Sequence, residues 1–235
     1  MSPRAPVRTS AMYRAALALR ARFRDEAGFR VVDAYTTADD EIARARVAVG
    51  LADTSACGKI GVRGERVAAL VAQLAGEHAP EPGRARRQRV DGTTVIACAL
   101  VADEMLVLTA PAALPTTLEI LTRAADSVGC AHVTDLTSAF AVIDVIGPRV
   151  PELLERLVPL DLSPAVVPPL ALVAGELAHV HAWLICLDHS TLPAFRALVP
   201  REYGEFVWRA LIDAGVDLGL APIGADAHAR LLAEI

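Results

Sequence analysis

The stretch GLADTSACGKIGVRG, from Gly50 to Gly64, decides the fold that this 235-residue sequence predicts. A helix that begins near Asp39 or Asp40 and runs through Val47 is expected to stop at Gly50, because an acidic cap and a following glycine mark the two ends of a helix. The end of the stretch alternates and contains spaced glycines, which indicates a short strand and a turn. The sequence therefore predicts a change from helix to strand here.

The N-terminal part of the chain predicts a tail followed by a helix. Residues 1–10 are expected to form a disordered tail. The spacing of Tyr13, Leu17 and Phe23 predicts one helix over residues 11–27, which ends at Gly28. Apolar residues at helical spacing predict another helix over residues 65–75.

The middle of the chain is rich in strand signals. Asp91-Gly92 lies between extended runs at 87–90 and 93–101, and this dipeptide is typical of a tight hairpin turn. A further strand over 105–109 and a helix over 111–128 follow.

The second half of the chain repeats this order of elements. The pattern predicts strands at 131–135, 139–146, 176–187 and 195–199, helices at 150–157, 202–214 and 223–235, and a proline-rich loop at 158–174. We therefore predict an α+β (mixed α/β) fold with two interlocked units, residues 11–130 and 131–235, each with an antiparallel sheet and flanking helices.

The charge distribution argues against a general nucleic-acid surface. The formal net charge is −5, whereas such surfaces need clustered positive charge. One basic run exists, at Arg84, Arg86, Arg87 and Arg89. It is either a solvated loop leading into a strand or a contact for an anionic tail such as a carboxylate or polyglutamate, since arginine forks suit carboxylates.

The cysteines and histidines do not predict a metal site. The four cysteines, at 57, 98, 130 and 186, are too far apart for a zinc or redox motif, so free thiols are expected. His179 and His181 would share one face of a strand, but no further ligand lies beside them. The longest apolar stretch, 165–174, is far short of a membrane span. We expect a cytoplasmic protein without a membrane or nucleic-acid partner.

Several motifs, in chain order, resemble the folate-binding superfamily that includes the glycine-cleavage T-protein, an aminomethyltransferase. The stretch from Gly50 to Gly64 is similar to the family's GLFDLSHMGKIEVRG, and Asp91-Gly92 is similar to its DGG hairpin. Residues 133–148 resemble V-x-D-x-S…LQGP, and residues 199–211 resemble VP-x-E-x-x-x-x-LW-x-x-L. The resemblance implies a T-protein-like fold, tetrahydrofolate as the cofactor and a role in one-carbon metabolism.

The C-terminal half also resembles the gamma subunit of heterotetrameric sarcosine oxidase, a short member of the superfamily that is not credited with the chemistry. The similar segments are residues 160–164, 168–169 and 194–199 together with Trp208. The chain also stops where the additional C-terminal barrel of the T-protein would begin. This resemblance implies a partner of the flavoprotein amine oxidase type.

The chain departs from the T-protein pattern at two acidic positions. The family has an aspartate beside the folate on the strand after the DGG turn, where this chain has Ile96 or Ala97. The family's GYTGEDGFE segment supplies a folate-holding glutamate, and Arg196 stands at its place. A guanidinium only donates hydrogen bonds, whereas the pterin N–H groups need acceptors. The replacements therefore predict that folate does not bind in the family's usual pose.

Other residues are candidates for a ligand cleft or for catalysis. Cys57 and Thr109 stand where the family has a pocket-lining methionine and an asparagine, so with Ala97 and Arg196 they are expected to line the cleft. Asp188 and His189 are the catalytic candidates, because a histidine can act as a general base near neutral pH.

Two functions remain open from the sequence. One is a non-catalytic or accessory subunit, which would bind a partner chain or form a homo-oligomer. The other is a stand-alone enzyme, either a transferase or a repurposed catalyst, that takes a small organic molecule into the cleft.

Overall fold

The computed structural model describes residues 7–75, 79–90, 92–129, 131–187 and 192–233. The chain forms two compact units that interleave along the sequence. Unit 1 comprises Met1–Ala56, Phe140–Pro169 and Ala174–Ile235, and unit 2 comprises Cys57–Ala139 and Leu170–Val173. The division differs from the predicted boundary after residue 130, because strands from before and after that boundary pair in one sheet.

Unit 1 is built on a six-stranded sheet. In spatial order its strands are β11 (Leu172–Leu177), β12 (Val180–Cys186), β13 (Ala194–Pro200), β10 (Phe140–Ile146), β4 (Gly50–Asp53) and β14 (Ala221–Ile223). β10 pairs antiparallel with both β13 and β4, and this register sets Asp144 opposite Arg196 and Ala52. β14 joins the edge in parallel with β4.

Five helices and a small sheet complete unit 1. The helices are α1 (Tyr13–Ala18), α2 (Ala38–Ala45), α5 (Val150–Glu155), α6 (Gly204–Gly215) and α7 (Ala225–Ala233). Two short 3-10 turns, Arg201–Tyr203 and Val216–Leu218, flank α6. The small sheet has the order β1 (Arg8–Thr9), β3 (Phe29–Ala34), β2 (Arg22–Glu26).

The predicted helix over residues 11–27 is wrong beyond its first turns. Ala27 and Gly28 have positive φ angles of 47° and 80° and form a tight turn, so β2 and β3 make a hairpin there. Arg24 bonds Asp33 across the hairpin at 2.6 Å. The predicted tail is also wrong at Arg8–Thr9, because β1 pairs in parallel with β3.

Helix α2 confirms the predicted helix but changes its cap. Thr37, not Asp39 or Asp40, is the N-cap, and its hydroxyl accepts from the Asp40 N–H at 3.2 Å. The Thr37 hydroxyl in turn donates to the Asp40 carboxylate at 2.7 Å, so the two residues cap the helix together.

Unit 2 is a five-stranded antiparallel sheet with helices on one face. The strands, in spatial order, are β6 (Arg84–Val90), β7 (Thr93–Val101), β8 (Glu104–Thr109), β5 (Gly58–Arg63) and β9 (His132–Asp135), and the helices are α3 (Val67–Ala75), a 3-10 turn (Pro111–Ala113) and α4 (Leu114–Val128). Small aliphatic side chains from the sheet pack with Leu70 and Leu121 of the helices to form one hydrophobic cluster. The predicted hairpin of β6 and β7 is confirmed.

The predicted strand region near 176–187 contains a turn. Ala178 and His179 have φ angles of 51° and 63°, which end β11 and begin a hairpin to β12. His179 therefore lies in the turn and His181 in the strand, so the expectation that both histidines share one strand face is wrong.

Candidate functional site

The candidate site in unit 1 begins with a charged residue in a buried strand. Asp144 stands in the middle of β10, whose other residues from 141 to 146 are apolar and buried. Because β10 pairs with β13, Arg196 lies directly opposite. Arg196 Nε donates to Asp144 Oδ1 at 2.8 Å and Nη2 donates to Oδ2 at 2.7 Å. The result is a two-point buried ion pair.

Two further side chains bond to the same carboxylate. His228, from α7, places its Nε2 atom 2.8 Å from Asp144 Oδ2. Because an ionised carboxylate only accepts, that nitrogen carries the hydrogen. Thr54, just after β4, donates its hydroxyl to Oδ1 at 3.2 Å. Both oxygens of Asp144 therefore already have donors from the protein.

The electrostatics keep Asp144 ionised. Burial raises its pKa, since the carboxylate side chain is only 1% exposed, but the charge and hydrogen bonds of Arg196 act in the opposite direction. The bond from His228 adds to their effect, and the pKa of Asp144 ends well below its ordinary value. Arg196 is itself 11% exposed, so the pair lies at the edge of the interior.

Cys57, Ala97 and Thr109, which the sequence predicts to line a cleft, lie in unit 2. Cys57 and Thr109 are close together, since Cys57 precedes Gly58, which is the strand partner of Thr109. Lys59, fully buried, donates its ammonium to the Cys57 carbonyl at 2.9 Å. Thr109 is buried, and its hydroxyl has no hydrogen-bond partner among the residues that the structure describes. Such an orphaned hydroxyl suits a ligand contact.

Ala97 lies in the hydrophobic cluster of unit 2. It is 1% exposed and packs with residues such as Val107 and Leu121. Its neighbour Ile96 points to the opposite face of β7. Asp188 and His189 lie outside the described residues, and their catalytic role stays a prediction.

Sequence reasoning missed Asp144 and His228. A charged residue inside the apolar run of β10 was the available signal for Asp144, because such a residue is rarely buried without a partner. Nothing in the sequence around His228 marks it, since it comes to Asp144 only through the placement of α7.

Unit 1 also contains a cavity of about 500 Å³. Its walls are mainly apolar and come from α5, the proline-rich segment and the ends of β12 and β13, including Leu154, Leu162, Val167, Cys186 and Phe195. Glu155 and Asp161 also contribute to the lining. Neither Arg196 nor Asp144 lines this cavity.

The described residues contain neither a group of potential metal ligands nor a helix suited to a membrane span. No three His, Cys, Asp or Glu side chains in the described ranges group as metal ligands. None of the helices in the described part of the chain combines the length and apolar character that a membrane crossing requires.

Comparison with known proteins identifies the family. The GCVT N-terminal domain matches residues 12–235. The chain belongs to this family. This match confirms the resemblance to the T-protein that the sequence motifs indicate.

Two of the relatives are aminomethyltransferases. The chain is 30% identical to an aminomethyltransferase of Streptomyces coelicolor over 225 residues, covering 92% of this chain and 60% of that protein. It is 31% identical to the aminomethyltransferase of Streptomyces avermitilis over 244 residues, covering 100% of this chain and 64% of that one. The chain thus spans about three fifths of the length of these relatives.

Solved structures confirm the predicted fold class. Glycine cleavage system aminomethyltransferase T from Bartonella henselae matches with a TM-score of 0.81 and 16% identity over 96% of this chain and 62% of that one. A chain of heterotetrameric sarcosine oxidase from Corynebacterium sp. U-96 matches with a TM-score of 0.63 and 21% identity, over 78% of this chain and 93% of that one. The protein therefore has a T-protein-like fold, which is similar to the folds of both structures.

Proposed function

We propose that this chain is a T-protein-like module with a degenerate folate site, which acts as a non-catalytic or accessory subunit in one-carbon or amine-oxidising metabolism. The observation that carries the proposal is the buried pair of Asp144 and Arg196. The family motif has a glutamate at the position of Arg196, so a cation stands where an anion would hold a pterin.

The neighbouring carboxylate does not replace the lost glutamate. A pterin presents N–H donors that need acceptors, and an unmatched buried donor costs about 1–3 kcal/mol. Asp144 is the acidic side chain beside Arg196, yet its oxygens accept from Arg196, His228 and Thr54. A pterin at this place would meet a guanidinium and a carboxylate that is already bonded.

The second acidic position of the family pattern is also apolar here. The side chain of Ala97 is a methyl group, which lies in the hydrophobic cluster of unit 2, and Ile96 has no ionisable group. Neither can supply the carboxylate that stands beside folate in the family. These replacements support an accessory role over aminomethyl transfer.

The proposed partner is a flavoprotein of the amine oxidase type. The likeness to a chain of heterotetrameric sarcosine oxidase supports it, because the match covers 93% of that chain. A 105-residue match to the sarcosine oxidase subunit alpha of Rhizobium meliloti, at 30% identity, adds support. Assembly with further copies of the same chain is the alternative partner arrangement.

A second candidate function is a stand-alone enzyme, either an aminomethyl or methyl transferase or a repurposed catalyst. Two observations favour it: the orphaned hydroxyl of Thr109, which suits a ligand, and the carboxylate–imidazole contact of Asp144 with His228. A carboxylate that orients a histidine is the arrangement that general bases use. A small organic molecule would be the substrate.

Calorimetry with tetrahydrofolate tests the degenerate site. We expect no binding in the micromolar range, because the site offers a cation in place of an acceptor. The aminomethyltransferase of Streptomyces coelicolor, titrated under the same conditions, is the positive control. Binding at about 10 µM or tighter, near −7 kcal/mol, would overturn the proposal and favour a transferase.

A native purification tests the accessory role. The chain, tagged at its own locus, is expected to co-purify with a flavin-containing protein that oxidises a secondary amine to its imine and reduces O₂ to peroxide. Flavin absorbance and amine-dependent peroxide formation are the measurements. Recovery of the chain alone, with turnover of a small substrate, would instead support the stand-alone enzyme.

A further inference from the structure

The edge strand of unit 2 carries concentrated positive charge. β6 reads RARRQRV over Arg84–Val90 and contains no acidic residue. It is the terminal strand of its sheet, and β7 is the strand with which its described residues pair along the full length. Arg87 and Arg89 are exposed, and their side chains share one face of the strand because they are two positions apart. This charge stands out in a chain whose net charge is −5.

At Arg87 and Arg89, the backbone N–H and C=O groups of β6 also point away from β7, toward the open edge of the sheet. Ala85 donates its N–H outward, to the Leu170 carbonyl at 2.7 Å. Backbone groups alternate in direction along an antiparallel strand, so the N–H and C=O of Arg87 and Arg89 point outward as well. No described residue pairs with those outer groups, whereas Gly83 accepts from Leu172 at 2.9 Å.

Two prolines explain why the segment 170–172 pairs with the first part of β6 only. Residues 170–172 run antiparallel beside β6, with Ala171 opposite Arg84. Leu170 is the first residue of this unit 2 segment, and two prolines, Pro168 and Pro169, come directly before it in the sequence. Proline has no N–H to donate to a ladder and cannot continue it. The chain's own segment therefore covers the first part of the edge only.

A second copy of the chain does not suit this edge. Antiparallel pairing of β6 with itself about Gln88 would set Arg87 of one copy against Arg89 of the other. Like charges directly opposite each other in a sheet are destabilising. The charge calls instead for a strand that carries carboxylates.

We propose that β6 binds an extended acidic segment of a partner protein, which adds to the sheet as a strand beside Arg87 and Arg89. Main-chain hydrogen bonds to the outer groups would hold the segment, and two carboxylates, two residues apart on one face, would pair with the guanidinium groups. The inference concerns unit 2 alone and does not rest on the state of the Arg196 site.

The simplest competing explanation is protection of the edge. Charged side chains on an edge strand discourage pairing with other chains, and the arginines would then bind nothing. The two explanations differ in a measurable way, because only a docking edge binds an acidic strand through its backbone.

Fluorescence anisotropy with a synthetic peptide tests the proposal. The probe is a labelled peptide of about six residues, the usual strand length, that alternates glutamate with valine. We expect saturable binding at low salt that weakens as salt is raised. The Arg87→Glu/Arg89→Glu variant should bind about tenfold more weakly or worse. The Arg63→Glu/Arg123→Glu variant is the matched control, since both residues are exposed in unit 2 and the charge change is the same.

A second peptide separates strand addition from simple attraction. The same sequence with every glutamate and valine N-methylated keeps its charge but has no backbone donor toward β6 in either strand direction, so its binding should fall to the level of the double variant. Equal binding of both peptides would overturn the proposal and leave a merely electrostatic patch. Absence of binding at about 1 mM peptide would also overturn it, in favour of edge protection. Circular dichroism of each variant verifies folding, and Arg87→Gln/Arg89→Gln replaces the charge-reversed pair if that pair unfolds.

Discussion

Asp144 keeps a full negative charge inside unit 1 because Arg196, His228 and Thr54 all donate to it. Moving a carboxylate and a guanidinium out of water costs several kcal/mol each, and the close two-point geometry offsets this cost. The pair as a whole therefore adds little to stability. Removal of one partner alone is destabilising, because the remaining charge stays buried without its counter-charge.

The Asp144→Asn variant tests the cost of removing one partner of the ion pair. We expect Asp144→Asn to lower the free energy of unfolding by about 3–5 kcal/mol, because Arg196 loses its counter-charge. Urea denaturation at neutral pH measures the change. Arg196→Met and the double variant complete a mutant cycle, in which the double variant should be less destabilised than the two single effects added together. Additive effects would contradict the ion pair.

The same pair predicts how stability depends on pH. The pKa of Asp144 is depressed in the folded protein, so its contribution is complete above the ordinary value of 3.8 and is lost as pH falls through the lower folded value. Acid unfolding of the wild type should therefore steepen below about pH 4, and Asp144→Asn should lack this component. Denaturation midpoints at a series of pH values would show it.

The sequence led to Arg196 but not to its partners. A resemblance to a known motif was enough to mark the arginine, since it stands where the motif has an acid. Its partner depends on which residue of β10 lies opposite, and no tight turn joins β10 to β13 that would fix their register from the sequence. His228 is further out of reach, because α7 brings it to Asp144 from the far end of the chain.

Glu41 joins three parts of unit 1. It is 2% exposed, and its Oε1 atom accepts from the N–H groups of Tyr35 at 2.6 Å and Thr36 at 2.8 Å, just after β3. Its Oε2 atom accepts from Gly224 at 2.7 Å, at the start of α7. One carboxylate in α2 thereby fixes the end of a strand and the beginning of another helix.

Replacement of Glu41 by Gln should loosen α7. The amide group would turn a donor toward one of these N–H groups, and leaving a buried donor unmatched costs about 1–3 kcal/mol. Hydrogen exchange at the α7 amides should speed up along with the loss of global stability. Glu119→Gln is the control, since Glu119 is exposed on α4 and should change stability by less than about 0.5 kcal/mol. Unchanged exchange in α7 would count against this role.

The predicted helices and strands are correct where turn residues and periodicity determine the structure. They are wrong where pairing with another strand determines it. The hairpin of β6 and β7 and helix α4 follow from turn residues and periodicity. The segment 22–26 has spacing that fits a helix, yet it is a strand, because β3 offers cross-strand partners such as Asp33 for Arg24. Tertiary pairing overrides weak helix propensity there.

At the scale of the molecule, the two ends of the chain belong to the same unit. Arg201 donates to the Thr9 carbonyl at 2.8 Å from 192 positions away, and Gly224 bonds Glu41 from 183 positions away. Residues near the middle of the chain form the other unit. The halves of the sequence are therefore not independent folding units, which agrees with the prediction of interlocked units, although the units interleave along the chain and do not divide at residue 130.

Expression of fragments tests this interleaving. Residues 131–235 alone would lack β4 and Glu41, so β10 would lose a strand partner and α7 its anchor. We expect that fragment, and residues 1–130 likewise, to show no cooperative unfolding and to be digested quickly by protease. The full chain is the reference. A cooperative transition in the isolated fragment would restore residue 130 as a domain boundary.

The bond between Asp144 and Arg196 also limits how the family's acidic residue could be regained. A single exchange of Arg196 for glutamate would set two carboxylates face to face in the interior and remove the cation that keeps one of them charged. An evolutionary path back to a pterin-binding acid thus requires a coordinated second change at Asp144. Under the proposed function, loss of the folate site would then behave as a one-way step.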